Sequence, residues 1–189
     1  MKIEFEATFL GQDIDAFRDR LKKQAVLLKP ETLMKRVVFS APESVPGGWM
    51  RVRDESDKIT MSLKQVTGSK VDDQKEVELI IDDFDAGVDF MKSIGATQKA
   101  YQETKRESWQ CGDVRVEIDT WPGLQPFIEI EGKSESAIRV CAKQLGLDYS
   151  QAIFGGVDVV YEKELGIPKD VINNQTSEIT FENPPQRYT

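Results

Sequence analysis

The chain has 189 residues, enough for one well-buried core and too few for two ordinary domains to be the starting expectation. Its 33 Asp plus Glu against 25 Lys plus Arg give a formal net charge of −8, so no general attraction to nucleic acid or an anionic membrane is expected, and any phosphate binding must be local. Histidine is absent, which removes Ser-His-Asp and Cys-His catalysis, histidine-ligated metals and imidazole acid–base chemistry together.

Cys111 and Cys141 are the only cysteines, far apart in sequence, and read as buried free thiols of a reducing compartment. No apolar run approaches the ~20 residues that span a bilayer, and the first segment is charged and alternating where a signal peptide would be apolar. The expectation is a cytoplasmic protein without nucleic-acid or membrane partners, whose chemistry falls to carboxylates, lysines, arginines and a metal.

Ile3 to Phe9 alternates apolar with polar residues and predicts a strand with two unlike faces. From Asp13 to about Ala25 the spacing of Ile14, Phe17, Leu21 and Ala25 is helical, with Asp13 as cap. Three strands are predicted at Met34 to Ser40, Gly48 to Asp54 and Lys58 to Val66, with short turns that imply antiparallel neighbours. A strand at Gln74 to Ile81 precedes a helix from Phe84 to about Ile94 that Gly95 stops. Thr97 to Trp109 and Val114 to Thr120 form a hairpin around Gly112, and a last strand follows at Phe127 to Glu131. Helices are predicted at Ser134 to Leu145 and near Val157 to Leu165. Residues 1–166 make the domain, and 167–189 read as a polar, irregular C-terminal tail. The fold class is α+β: a closed or nearly closed eight-stranded antiparallel β-barrel with helices packed outside.

Charges recur in pairs at every second position. Glu4 and Glu6, Arg51 and Arg53, Glu76 and Glu78, Glu117 and Asp119, and Glu129 and Glu131 each share one face of a strand, with apolar residues on the other. Lys64 follows the same phase, and Arg106 and Arg115 add to the set. Any one pair reads first as the solvent face of a sheet packed on a core. The whole set reads differently, because solvent faces mix charges with Thr, Ser and Gln, whereas these strands carry paired acids or paired arginines. Closing the sheet with the charges inward gives a tunnel lined by both signs. Such a lining needs partners, and a polyanion with its cations supplies them: paired carboxylates suit Mg2+ or Mn2+, and paired arginines fork onto phosphate oxygens. No glycine-rich phosphate loop is present, which argues against a P-loop enzyme.

In this pattern the chain resembles the CYTH family, or triphosphate tunnel metalloenzymes, over roughly residues 1–166. The matching elements are Glu4-Phe5-Glu6-Ala7-Thr8, Arg51-Val52-Arg53, Leu63-Lys64, Lys75-Glu76-Val77-Glu78, Glu117-Ile118-Asp119 and Phe127-Ile128-Glu129-Ile130-Glu131, in order. The resemblance implies Mg2+ or Mn2+ held among Glu4, Glu6, Glu117, Asp119, Glu129 and Glu131. It also implies a triphosphate gripped by Arg51, Arg53, Lys64, Arg106 and Arg115, catalytic roles for Glu6, Asp119 and Lys64, and a lining completed by Glu76, Glu78, Thr8 and Thr104. Thr8 and Thr104 stand where the family carries lysine, which lowers the rate, changes the substrate or leaves a binding protein; these alternatives stay open. The leading expectation is metal-dependent hydrolysis of tripolyphosphate or an organic triphosphate such as ATP or thiamine triphosphate. A class IV-type adenylate cyclase that makes cyclic AMP and pyrophosphate is the alternative, and a non-catalytic nucleotide- or polyphosphate-binding module is the second. A homodimer stays open. Trp49, Trp109 and Trp121 either stack on an organic ring at the tunnel mouth or simply pack.

Overall fold

The computed structural model describes residues 1–188. Alternation dominates the strands: β1 (Lys2–Phe9), β2 (Val26–Ser40), β3 (Gly48–Asp54), β4 (Ile59–Val66), β5 (Gln74–Ile81), β6 (Gln98–Cys111), β7 (Val114–Thr120) and β8 (Phe127–Gly132). Helices α1 (Ile14–Gln24), α2 (Phe84–Ser93), α3 (Glu135–Gln144) and α4 (Val157–Leu165) fall between or after them. Asp13, Asp83 and Ser134 cap α1, α2 and α3, each accepting a hydrogen bond from the backbone three residues on.

The strands run in the order β2-β3-β4-β5-β1-β8-β7-β6, every neighbour antiparallel, and β2 pairs with β6 to close the barrel. The first strand thus lies between β5 and β8, bridging two meanders, β2 to β5 and β6 to β8. Gly112, at φ +59°, turns the hairpin between β6 and β7.

The apolar core lies outside this barrel. Ala7, Phe9, Val116, Ile118, Ile128 and Ile130 point outward into a layer completed by Phe17 and Leu21 of α1 and Ile138 and Ala142 of α3. Val37, Phe39 and Val52 are covered by Val88 and Met91 of α2. Gly87 allows that approach, since a Cβ there would sit 2.5 Å from the Ile81 side chain. The cover is incomplete: Ile3, Val77 and Leu79 remain exposed on the outer face of β1 and β5.

Two segments differ from expectation. β2 begins at Val26, eight residues before Met34, because its first half pairs with β6 through register shifts at Leu27/Lys29 and Lys29/Thr32 that erase the alternation. The stretch after residue 166 has little regular structure but is docked. Ile167, Ile172 and Ile179 are buried beside Trp121, Phe127 and Tyr161. A π-helical turn at Val171–Gln175 leads to β9 (Glu178–Ile179), which runs parallel to β6 beside Tyr101 and Gln102, where β7 has already ended.

Candidate active site

Because outward positions hold the apolar core, inward positions hold the charges, and together they enclose a cavity of about 1040 Å3. Glu4 and Glu6 enter from β1, Arg51 and Arg53 from β3, Lys64 from β4 and Glu76 and Glu78 from β5. Arg106 enters from β6, Arg115, Glu117 and Asp119 from β7, and Glu129 and Glu131 from β8. Thr8 and Thr104, expected in the lining, do not reach it. Thr8 is 4% exposed and its backbone bridges to Ile153, which covers that end of β1. Thr104 is 1% exposed and sits behind Arg36, whose Nη2 donates to its hydroxyl at 2.8 Å.

The two signs of charge interleave. Lys64 Nζ lies 3.1 Å from Glu4 and 3.6 Å from Glu6. Arg51 donates to Glu76 at 3.0 Å, and Arg53 lies 3.6 Å from Glu78 and contacts Glu55. Arg106 donates to both carboxylate oxygens of Asp119 and, at 2.7 Å, to Glu129. Arg115 is half exposed, 3.7 Å from Glu117. The expected metal ligand and catalytic group Asp119 is therefore engaged at both oxygens by a guanidinium.

Carboxylates also face carboxylates. Glu6 is the direct cross-strand partner of Glu131, and Glu129 of Glu117, an arrangement that repels unless something positive intervenes. Burial, with Asp119 and Glu6 nearby, pushes the Glu129 carboxyl well above its ordinary range despite Arg106. Burial likewise raises Glu117. Burial raises Glu4 to about 7, Lys64 opposing and Glu76 reinforcing the shift. Burial acts the same way on Glu76, but Arg51 and Lys64 outweigh it and bring that carboxyl to about 2. For Lys64, burial is outweighed by Glu6 and Glu4, and the ammonium stays charged.

A hard divalent cation fits this donor set. Among the described residues Glu117 Oε2 is buried without a hydrogen-bond donor, Glu4 Oε2 has only the Lys64 ammonium 3.1 Å away, and the facing pairs Glu6/Glu131 and Glu117/Glu129 have no cation beyond Lys64, Arg106 and Arg115. Among the described residues no three carboxylates converge into a ready-made cage. Glu6, Glu129 and Glu131, with Glu4 and Glu117 flanking, are the groups that could hold the ion.

The aromatic residues divide. Trp109 is buried outside the barrel, its Nε1 donating to Glu107 at 2.8 Å, and is a packing residue. Trp49 and Trp121 border the cavity, and Trp121 lies under the Arg36 guanidinium, 4.7 Å from ring centroid to Cζ. Arg36, Glu55, Lys58 and Lys99 also line the cavity and were missed in the sequence. Arg36 had a signal: Val37 and Phe39 set the outward phase of β2, which turns Arg36 inward, but the Lys35-Arg36 doublet obscured it.

A family model, the CYTH domain, matches residues 42–145. No curated protein matches the chain significantly. Among solved structures, a conserved hypothetical protein from Pyrococcus furiosus is similar at TM-score 0.66 and 24% identity, over 79% of this chain and 94% of that one. A candidate adenylate cyclase from Vibrio parahaemolyticus superposes at TM-score 0.70 and 15% identity, over 85% and 98%. A candidate adenylyl cyclase from Hippeastrum, described as having a dominant triphosphatase activity, superposes at TM-score 0.58 and 16% identity, over 90% and 99%. At these identities the likenesses concern the fold.

Proposed function

The chain belongs to the CYTH family, and from that premise we propose that it is a divalent-cation-dependent hydrolase of a triphosphate held inside the barrel. One observation carries the reading: arginines and a lysine interleave with facing carboxylate pairs around one cavity of about 1040 Å3. A triphosphate needs forked donors along its oxygens and a cation to offset its charge, and this lining offers the first and has donors for the second. The dominant triphosphatase activity described for the Hippeastrum protein is consistent with it.

In this reading Arg51, Arg53, Lys64 and Arg106 grip the phosphoryl oxygens, with Arg115 at the more exposed side. Asp119 fixes the plane of Arg106 through its two hydrogen bonds, so its contribution passes through that guanidinium. A divalent cation among Glu6, Glu129 and Glu131 would offset phosphoryl charge and favour attack by water. Glu6 orients that water, and the Lys64 ammonium lies 3.6 Å from its carboxylate.

The test is a panel of tripolyphosphate, ATP and thiamine triphosphate with Mg2+ or Mn2+, reading phosphate, pyrophosphate and cyclic AMP together. Phosphate release is expected. Cyclic AMP with pyrophosphate would assign the cyclase reaction instead, binding without turnover would assign a binding module, and neither binding nor turnover would reject the site.

A further inference from the structure

We propose that Arg36 is a phosphoryl-binding residue of the tunnel, forming with Arg51, Arg53 and Arg106 a four-guanidinium subsite for a condensed phosphate chain. The inference rests on the triphosphate reading and deepens it by adding a contact that neither the paired-charge pattern nor the family resemblance pointed to.

Arg51, Arg53, Lys64, Arg106 and Arg115 each have a carboxylate within 4.0 Å. Arg36 has none among the described residues, although it is only 7% exposed. Its side chain makes one hydrogen bond, to the neutral Thr104 hydroxyl, and its Nε is buried without an acceptor. Directly across the strand pair stands Arg53, a like charge, whose own Nε is also buried without an acceptor. A cation held this way needs an anion that the described residues do not provide.

Its surroundings fix it in place. The guanidinium lies over Trp121, which meets Tyr161 edge to face at 6.3 Å, and the Tyr161 hydroxyl donates to the Pro122 carbonyl at 2.7 Å. The flat face is thus occupied by aromatic contact, while the N–H edge keeps donors for a planar or tetrahedral oxyanion. Burial, then the charges of Arg51, Arg53 and Arg106, hold the Arg36 guanidinium well below its ordinary range, the direction expected of a cationic cluster awaiting an anion. The positive group that Thr104 does not supply reaches the same place from the neighbouring strand.

Arg36→Gln keeps a donor for Thr104 and removes the charge. Calorimetric titration with tripolyphosphate in the absence of divalent metal, paired with thermal melts of the ligand-free protein, reads both sides of the proposal. Arg36→Gln is expected to weaken tripolyphosphate binding by roughly tenfold or more, in line with the loss of a charge-assisted contact, and to melt at or above the wild-type temperature. Arg36→Lys, which keeps charge but not the fork, falls between. Wild-type affinity in Arg36→Gln, or a variant that unfolds or melts several degrees lower, overturns the assignment in favour of a packing role. If the wild-type protein fails to bind tripolyphosphate both without metal and with Mg2+, the triphosphate reading falls and this inference with it; binding by wild type with an unaffected variant removes the inference alone.

Discussion

Lys64 on β4 holds Glu4 on β1 at 3.1 Å although β5 lies between their strands, so the ion pair crosses the tunnel interior and skips a strand in the sheet. Its loss should therefore be felt in the acids more than in the backbone. Lys64→Met leaves Glu4 and Glu6 without their shared cation, and breaking a largely buried pair costs ~3 kcal/mol or more. Thermal melts should show that loss near pH 8 and a much smaller one near pH 5, where Glu4 is protonated in either protein. Equal losses at both pH values would show that Lys64 serves packing instead.

The ligand-free protein should lose stability as pH rises from about 4.5 to about 7. Glu4 has a folded-state value of about 7 against an ordinary 4.5, so the folded state holds the extra proton in that window, and its stabilising effect is gone above it. Glu117 and Glu129 are raised as well and act in the same direction. Glu76, lowered to about 2, acts oppositely, but its window lies below 4.5. Melts across pH 4.5–8 check the slope, and a flat or rising curve contradicts it.

Cation binding should release protons at pH 6–7, because the acids that would hold the ion bind it ionised. Calorimetry with Mn2+ in two buffers of unlike ionisation enthalpy measures the number directly. Identical heats in the two buffers would place the ion away from Glu4, Glu117 and Glu129.

Glu6→Gln and Arg53→Ala should differ in their response to metal. The first removes a charge from the proposed cation site, so turnover should fall by orders of magnitude and recover in part at raised Mn2+. The second removes a phosphoryl contact, and added metal should not restore it. Wild-type turnover in both variants would show the site to be wrong even though the barrel stands.

Saturating Mg2+ with tripolyphosphate should raise the melting temperature, since a ligand present at a hundredfold excess over Kd and bound only by the folded state contributes ~2.7 kcal/mol. An unchanged melting curve would argue against ligand binding in the tunnel.

The parts of the fold that were legible in the sequence are those where one rule acts alone. Gln74–Ile81 and Val114–Thr120 match their expected bounds because alternation runs unbroken between turns. Val26–Leu33 was hidden because Leu27, Leu28 and Pro30 break the alternation where the strand shifts register against β6. β9 is two residues long and held by tertiary contact, so it leaves no local pattern. In the site, period two was enough to place the paired charges inward. It could not reveal which charge meets which: that Asp119 is occupied by Arg106, or that Arg36 shields Thr104, depends on side-chain length and cross-strand register.

The position of β1 between β5 and β8 sets an order on how the chain can assemble during synthesis. Residues 2–81 contain five consecutive members of the sheet and can pair among themselves, whereas both seams, β1 with β8 and β2 with β6, wait for the second meander. Until residue 132 has emerged, the Glu6 side of β1 is an unpaired edge, and its acids face water instead of one another. Charge that strains the finished barrel thus keeps the unfinished one soluble and discourages the open edge from joining a second chain. Closure brings together strands distant in sequence, which predicts folding in the slow, millisecond-to-second range of β-rich topologies, with the acids forced together only in the last step.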